Sequence, residues 1–410
     1  MRKSPGQRAE TVNNTQRAIA PASYGGGMLL QPRYGSASLA DVVPSILAHL
    51  GVPGTTDRIG FELEGARRIC LLVVDGLGAE QLAAHPDDAP FLTSHTSNSI
   101  TAGFPSTTAT SLSSLGTGLP PGEHGIVGYL VSPPGHKRLM NSLKWALQGS
   151  SSSDELPPDL VPETFQPTRT SFEHGVASGV GIFHVGPALQ NGSGLTRASL
   201  RGASFRTSIT AGDLVGNVAD VLSSPGPTLA YTYFGDLDLV GHVRGPSSDA
   251  WRAELRQVDR LAQSLAETVP TDGALVVVSD HGMVEIGDRV DYDASPALRA
   301  GVGQLGGEAR MRYVYTRKGA TSDVYDAWKA ELGRSFTVVT KDEAVDNGWF
   351  GPAVSQAAYG RIGDLLALAH DRSALVRTDA ESIAARLRGH HGSLTSAELL
   401  VPALIVRPCH

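Results

Sequence analysis

Short, nearly unbroken apolar runs alternate along the chain with amphipathic stretches, which predicts strands separated by helices. ICLLVVDGLG (69–78), VGIFHVGP (180–187), TLAYTYFGD (228–236), GALVVVSDHG (273–282) and LLVPALIV (399–406) have strand length. Runs apolar on both faces suit a mostly parallel sheet covered by helices. Between them, SLADVVPSILAHLG (38–51) opens on Ser and closes on Gly, as a capped helix does, and SSDAWRAELRQVDRLAQSLAETV (247–269) repeats apolar residues at three- and four-residue spacing. The class is α/β.

Two segments break the rhythm. Residues about 130–178, rich in Ser, Pro and Gly, read as a long loop over the sheet edge or a lid. Residues 286–388 carry strand and helix signals of their own, MRYVYTR, TSDVYDAWKAELG and SFTVVTKDEAV, and read as a small inserted α/β cap. Residues 1–35 are expected to be a flexible tail. This leaves 36–285 and 389–410 as the main α/β domain.

Where the apolar runs stop, the polar residues are of one kind. Asp75 follows ICLLVV, Asp280 and His281 follow GALVVVS, and Asp238 and His242 come just after TLAYTYFGD. Open α/β sheets bind ligands at the carboxyl ends of their strands, so residues more than 200 apart can share one site. GHHGS adds His390 and His391 before the last strand. A mixed imidazole and carboxylate set suits Zn²⁺ or another first-row divalent ion. Five or six such groups exceed one tetrahedral shell, so two ions are the economical reading.

Composition narrows the setting. A chain of 410 residues, 41% hydrophobic and 18% charged, can bury a substantial core, and its net charge of −7 with no Lys/Arg-rich run argues against a polymeric nucleic acid partner. No run of about 18 apolar residues predicts a membrane span, and the start has no apolar signal core. Cys70 and Cys409 form no CxxC pair and suit a reducing compartment, so a cytoplasmic location is expected.

A reactive oxygen is available in SITAGFPSTTATSLSSLGTGLPPGEHGIVGY (99–129), where Ser106, Thr107 and Thr108 precede a small-residue helical stretch. Such a cluster commonly serves as a helix N-cap, yet a helix N-terminus also attracts phosphate.

Taken in order, LLVVDGLG, FPSTTATSLSSLGTGLPPGEHGIVGY, DLDLVGH, VVSDHG and HHG resemble the alkaline phosphatase superfamily, and within it the nucleotide pyrophosphatase/phosphodiesterase branch. The resemblance implies a three-layer α/β/α fold with a mostly parallel central sheet and two zinc ions. Asp75, Asp280 and His281 would hold one ion with the nucleophile oxygen, and Asp238, His242 and His391 the other. His391 is preferred to His390 because Gly392 follows it directly. The family spacing back from Thr117–Gly118 and from His124–Gly125 lands on Thr108 as nucleophile, with Thr107 next in line. A Gly, Gly103, stands where the diesterase motif has its Thr before FPN, and the family Asn after HGI is missing. Tyr129, which has that spacing, and Asn141 are the candidate substrate contacts.

The implied activity is zinc-dependent hydrolysis of phosphodiester or pyrophosphate bonds in a small, nucleotide-like substrate, through a phosphothreonine. Phosphomonoesterase, phosphonate hydrolase and phosphomutase activities are the superfamily alternatives. The sulfatase signature Cys/Ser-x-Pro-x-Arg is absent. A non-catalytic, metal-stabilised protein that binds a phosphorylated ligand is the alternative from another class.

Overall fold

A computed structural model describes residues 29–95, 97–150 and 156–408. The main strands are β1 (Arg68–Val74), β2 (Ser97–Thr101), β3 (Gly181–Gly186), β4 (Ser204–Thr207), β5 (Thr228–Phe234), β6 (Gly273–Ser279), β7 (Val302–Leu305), β8 (Met311–Thr316), β9 (Phe336–Thr340), β10 (Leu365–Ala369) and β11 (Leu400–Val406). The helices used below are α1 (Leu39–His49), α2 (Thr108–Thr117), α3 (Ser171–Ala177), α4 (Ala211–Leu222), α5 (Asp236–Arg244), α6 (Asp249–Thr268) and α7 (Thr321–Leu332).

Seven strands form the central sheet in the order β2-β11-β6-β1-β5-β3-β4. Every neighbouring pair is parallel except those made by β11, which runs antiparallel to both β2 and β6. Successive residues of β1 serve opposite faces. Ile69, Leu71 and Val73 pack in one core with α1, α2 and α3, whereas Cys70, Leu72 and Val74 pack in another with α4 and α6. This is why the strand sequences show no polar alternation: both faces are covered. Three layers, α/β/α, result.

The capped-helix reading holds for α1. Ser38 and Asp41 form a reciprocal capping box, and Gly51 takes φ +79° just beyond the helix end. α6 is capped by Ser248, whose side chain accepts from the Trp251 N–H.

Two expectations need correction. Residues 130–178 are not one long loop over the sheet edge. Leu130–Val131, Met140–Asn141 and Ala146–Leu147 make a small antiparallel sheet, and α3 starts in a Thr170/Glu173 capping box. Trp145, Phe165 and Phe172 of this segment are buried in the main core, which holds it against the body. The expected tail, 1–35, lies outside the described residues up to residue 28, but residues 29–35 belong to the folded body. Leu29 is buried, the Leu30 N–H donates to the Leu394 carbonyl at 2.8 Å, and the Tyr34 hydroxyl donates to the Trp349 carbonyl at 2.9 Å.

The segment that follows β6 leaves and returns through a paired base. Val284–Glu285 runs antiparallel to Gly389–His390, and Asp288–Asp291 lies parallel to Ser373–Val376. Above it stands a four-stranded antiparallel sheet, β7-β8-β10-β9. One face packs with Val324, Trp328 and Leu332 of α7; the other, through Met311, Tyr313, Leu366 and Leu368, enters the main core beside Phe104, Ile126 and Val127.

Candidate metal centre

Strand register brings the first acids together. Val74 pairs with Phe234 on one side and Ser279 on the other, so Asp75 and Asp280 leave the sheet at one level, with α5 starting two residues beyond Phe234. Gly76, at φ +75°, turns the chain there and donates its N–H to Asp280 Oδ1 at 3.1 Å. A Cβ on Gly76 would lie 2.9 Å from Cβ of Asp238, so the close approach of α5 requires Gly.

One group gathers around His281. Its Nε2 lies 3.3 Å from Asp75 Oδ1, 3.4 Å from Asp280 Oδ2 and 3.2 Å from Thr108 Oγ1. The imidazole is fully buried, and Nδ1 bonds the Gly282 carbonyl at 3.0 Å, which leaves Nε2 facing the acids. Asp75 also accepts a hydrogen bond from the Tyr233 hydroxyl.

A second group adjoins it. Asp238 and His242, one turn apart on α5, approach to 3.3 Å, and Asp238 Oδ1 lies 4.0 Å from His391 Nε2. His242 Nδ1 bonds the Gly389 carbonyl and His391 Nδ1 the Ser106 carbonyl, each at 2.8 Å, so both rings are held with Nε2 toward Asp238. The His281 and His391 rings stack at 3.6 Å, which joins the two groups: ligand atoms of Asp75, Asp280 and His281, and of Asp238, His281 and His391, each lie within 4.8 Å of one another.

The donor set fits divalent cations. Asp75 Oδ1, Asp238 Oδ1 and Asp280 Oδ2 are all buried without a hydrogen-bond partner. Burial, then the neighbouring acids, pushes Asp75 well above the usual carboxylate range, and burial raises Asp280 too, against the pull of His281. For Asp238 burial is outweighed by His242, which holds it below the usual range and is itself raised to about 9 against burial by Asp238. Burial, then His281, keeps His391 well below its ordinary value. Three carboxylates and three imidazoles this close call for added positive charge.

Thr108 is the first residue of α2, with Thr107 at its N-cap, so it stands at the helix end whose first-turn amides have no partner within the helix. Both threonines line a cavity of about 600 Å³ together with Asp75, Asp238, His242 and His391. Tyr129 and Asn141 line it too and interact through their side chains. His390 is beside the site, its ring 5.9 Å from that of His242, and burial holds it down to about 3. His124 lies elsewhere: it is buried and bonded to Ser114 and to the Ile126 N–H.

The sequence reading missed Tyr233 and Glu308. Tyr233 sits inside an apolar strand, and nothing in its neighbours marks it. Glu308 reaches the cavity from the tip of the β7–β8 hairpin, where Oε2 lies 3.9 Å from His391 Nδ1. Burial pushes its carboxyl up to about 8 despite the Thr107 hydroxyl and His242. The Gly306–Gly307 pair ahead of it was a readable turn signal.

Comparison with known proteins gives the family and the fold. The model of a family described as type I phosphodiesterase / nucleotide pyrophosphatase matches residues 69–394. A stretch of 77 residues is 40% identical to human ectonucleotide pyrophosphatase/phosphodiesterase family member 7, covering 17% of this chain and 17% of that protein. Another of 71 residues is 39% identical to GPI ethanolamine phosphate transferase 2 of Debaryomyces hansenii, covering 17% of this chain and 8% of that protein. The matches thus span under a fifth of either curated relative. Among solved structures, murine and human ectonucleotide pyrophosphatase/phosphodiesterase 5 superpose with TM-scores of 0.61 and 0.62 at 17% and 18% identity, covering 83% of this chain and 88% of each. An inactive threonine-to-alanine variant of the murine protein in complex with AMP gives 0.59 at 17% identity, over 82% of this chain and 87% of that one. At such identities the likeness is one of fold.

Proposed function

Because this chain belongs to the type I phosphodiesterase / nucleotide pyrophosphatase family, we propose that it hydrolyses phosphodiester or pyrophosphate bonds of a small, nucleotide-like substrate, with Thr108 as nucleophile and zinc as the metal. The observation that carries this reading is the set of three partnerless, buried carboxylate oxygens facing His281 and His391, with the Thr108 hydroxyl 3.2 Å from His281 Nε2. Asp75, Asp280 and His281 would hold one ion, and Asp238, His242 and His391 a second. Bound there, divalent metal would supply positive charge to the attacking and leaving oxygens and make a hydroxyl far more acidic, as it does for water, whose pKa falls from about 15.7 to about 7.

The chain's own groups do the rest. The first-turn amides of α2 receive the phosphoryl oxygens. Thr108 Oγ1 attacks phosphorus, the bond to the leaving oxygen breaks, and the organic phosphate stays as an ester on Thr108. Water then cleaves that ester and returns the hydroxyl. A neighbour of this fold in complex with AMP supports the nucleotide-like substrate, and the inactivity of its threonine-to-alanine variant supports a threonine in this role. A cytoplasmic location is part of the proposal, which cell fractionation tests.

Thr108→Ala, with its metal content unchanged, is expected to lose hydrolysis of bis(p-nitrophenyl) phosphate by at least about a thousandfold. Wild-type rates in that variant would remove Thr108 from the role, and in that case Thr107→Ala would be the next measurement. Chelation is expected to abolish turnover and zinc to restore it.

A further inference from the structure

The tip of the β7–β8 hairpin is built to hold one carboxyl inside the cavity. The Gly307 N–H donates to the Leu130 carbonyl at 2.7 Å, and the backbones of Glu308 and Met311 exchange hydrogen bonds of 2.8 and 3.1 Å. Gly307 turns at φ +71°, where a Cβ would meet the Met311 carbonyl oxygen at 2.1 Å. Opposite, a Cβ on Gly392 would lie 3.0 Å from Cγ of Glu308. The turn therefore depends on Gly307, and the space for this side chain on Gly392.

One of its two carboxyl oxygens lacks a donor. Glu308 Oε1 is buried with no hydrogen-bond partner, a state that folded chains avoid unless something outside the protein completes it. The His391 ring nitrogen Nδ1, 3.9 Å from Oε2, is already bonded to the Ser106 carbonyl. Arg312, which also lines the cavity, is committed to Glu381 and to the Leu375 carbonyl, and Arg377 faces Asp293 at 3.7 Å. Glu308 lines the cavity together with Thr107, Thr108, Asp238 and His391, with Oε2 3.9 Å from His391 Nδ1 and the Thr107 hydroxyl beside it, next to where a phosphate attacked by Thr108 would lie.

We infer that Glu308 is a specificity residue that accepts a hydrogen bond from a hydroxyl or ammonium group next to the phosphate, on the organic group esterified to it. The inference rests on the proposed role of Thr108 and the acidic cluster. It names a substrate class: phosphoesters of polyols or amino alcohols, the ribose of a nucleotide included, over esters of simple alkanols. A site polar group left unpaired by an analogue discriminates strongly against it.

The test uses two chromogenic diesters that differ only in hydroxyls, 2,3-dihydroxypropyl p-nitrophenyl phosphate and propyl p-nitrophenyl phosphate, with the full chain and zinc. Wild type is expected to favour the dihydroxypropyl ester by about tenfold or more in kcat/KM. Glu308→Ala should level that ratio while hydrolysing the propyl ester within about threefold of wild type. Glu308→Gln, which keeps an acceptor oxygen, should hold part of the preference. Equal losses on both esters in Glu308→Ala, or lost metal, would make the residue a support for His391 and overturn the inference. An absent preference in wild type would overturn it while leaving hydrolysis intact. If wild type with bound zinc cleaves neither ester, the hydrolase reading itself fails and takes the inference with it.

Discussion

At the scale of single residues, the centre depends on groups that never need to touch a substrate phosphate. Tyr233 donates to Asp75 and so helps to orient that acid. Tyr233→Phe keeps the ring and removes the donor. It is expected to lower metal affinity or activity by about 10–100-fold with little loss of stability, measured by zinc titration beside thermal melting. Histidines outside the centre set the acid limit. Burial holds His184 down to about 4 and His124, also beside Arg361, down to about 3, against an ordinary value of 6.5. Both folded-state values lie below the unfolded value, so the unfolded chain takes up protons first as the pH falls. Stability is therefore full above about 6.5 and drains as the pH drops toward 4, by on the order of 1.4 kcal/mol per unit for each ring. Urea unfolding at pH 7, 6 and 5 should show this slope, and a smaller one in His184→Gln; a flat profile would contradict it.

At the scale of elements, junctions matter more than the strands. The loop carrying His391 is tied down by Glu398, which accepts from the Ser393 N–H at 3.1 Å and side-on from Arg310, Nε at 3.0 Å and Nη2 at 2.7 Å, with neither side chain exposed. Arg310 extends from the same hairpin as Glu308, so one turn both supplies a cavity carboxyl and anchors a ligand loop. Glu398→Gln leaves a buried guanidinium short of its counter-charge and is expected to cost about 3–5 kcal/mol by chemical denaturation. Gly76→Ala should act differently. It pushes α5 and Asp238 out of place, so activity and metal binding fall before stability does. The sequence made such sites partly legible. Asp75, Asp280 and His281 follow long apolar runs, and the parallel register then forces them together. Residues 130–178 were opaque because their strands are two residues long and set by turns, and because α3 carries a Gly at 175 that breaks its pattern. Glu308 was hidden for another reason: no local pattern tells which face of a hairpin tip will meet a distant loop.

At the scale of the molecule, the inserted segment and the body share one core. Phe104, shortly before Thr108, packs edge-on against Trp349 at 5.5 Å and Phe350 at 5.2 Å, and both of those rings come from the segment between β6 and β11. The Gly122 N–H donates to the Phe350 carbonyl at 2.7 Å, and the Ser355 N–H returns a bond to the Gly122 carbonyl at 2.8 Å. A cap that moved as a separate body would have to break these contacts and expose Met311, Tyr313, Leu366 and Leu368 as well. Cooperative unfolding follows from that continuity, because neither part can open without uncovering apolar surface of the other. Phe350→Ala, although made in the inserted segment, is therefore expected to lower the stability of the whole chain by about 3–5 kcal/mol. Calorimetry should record a single transition displaced to lower temperature. Two resolved transitions, with only the lower one moved, would mean that the segment folds independently of the body. Loss of activity should track that one transition, since the ring removed packs against the residue that leads into Thr107 and Thr108.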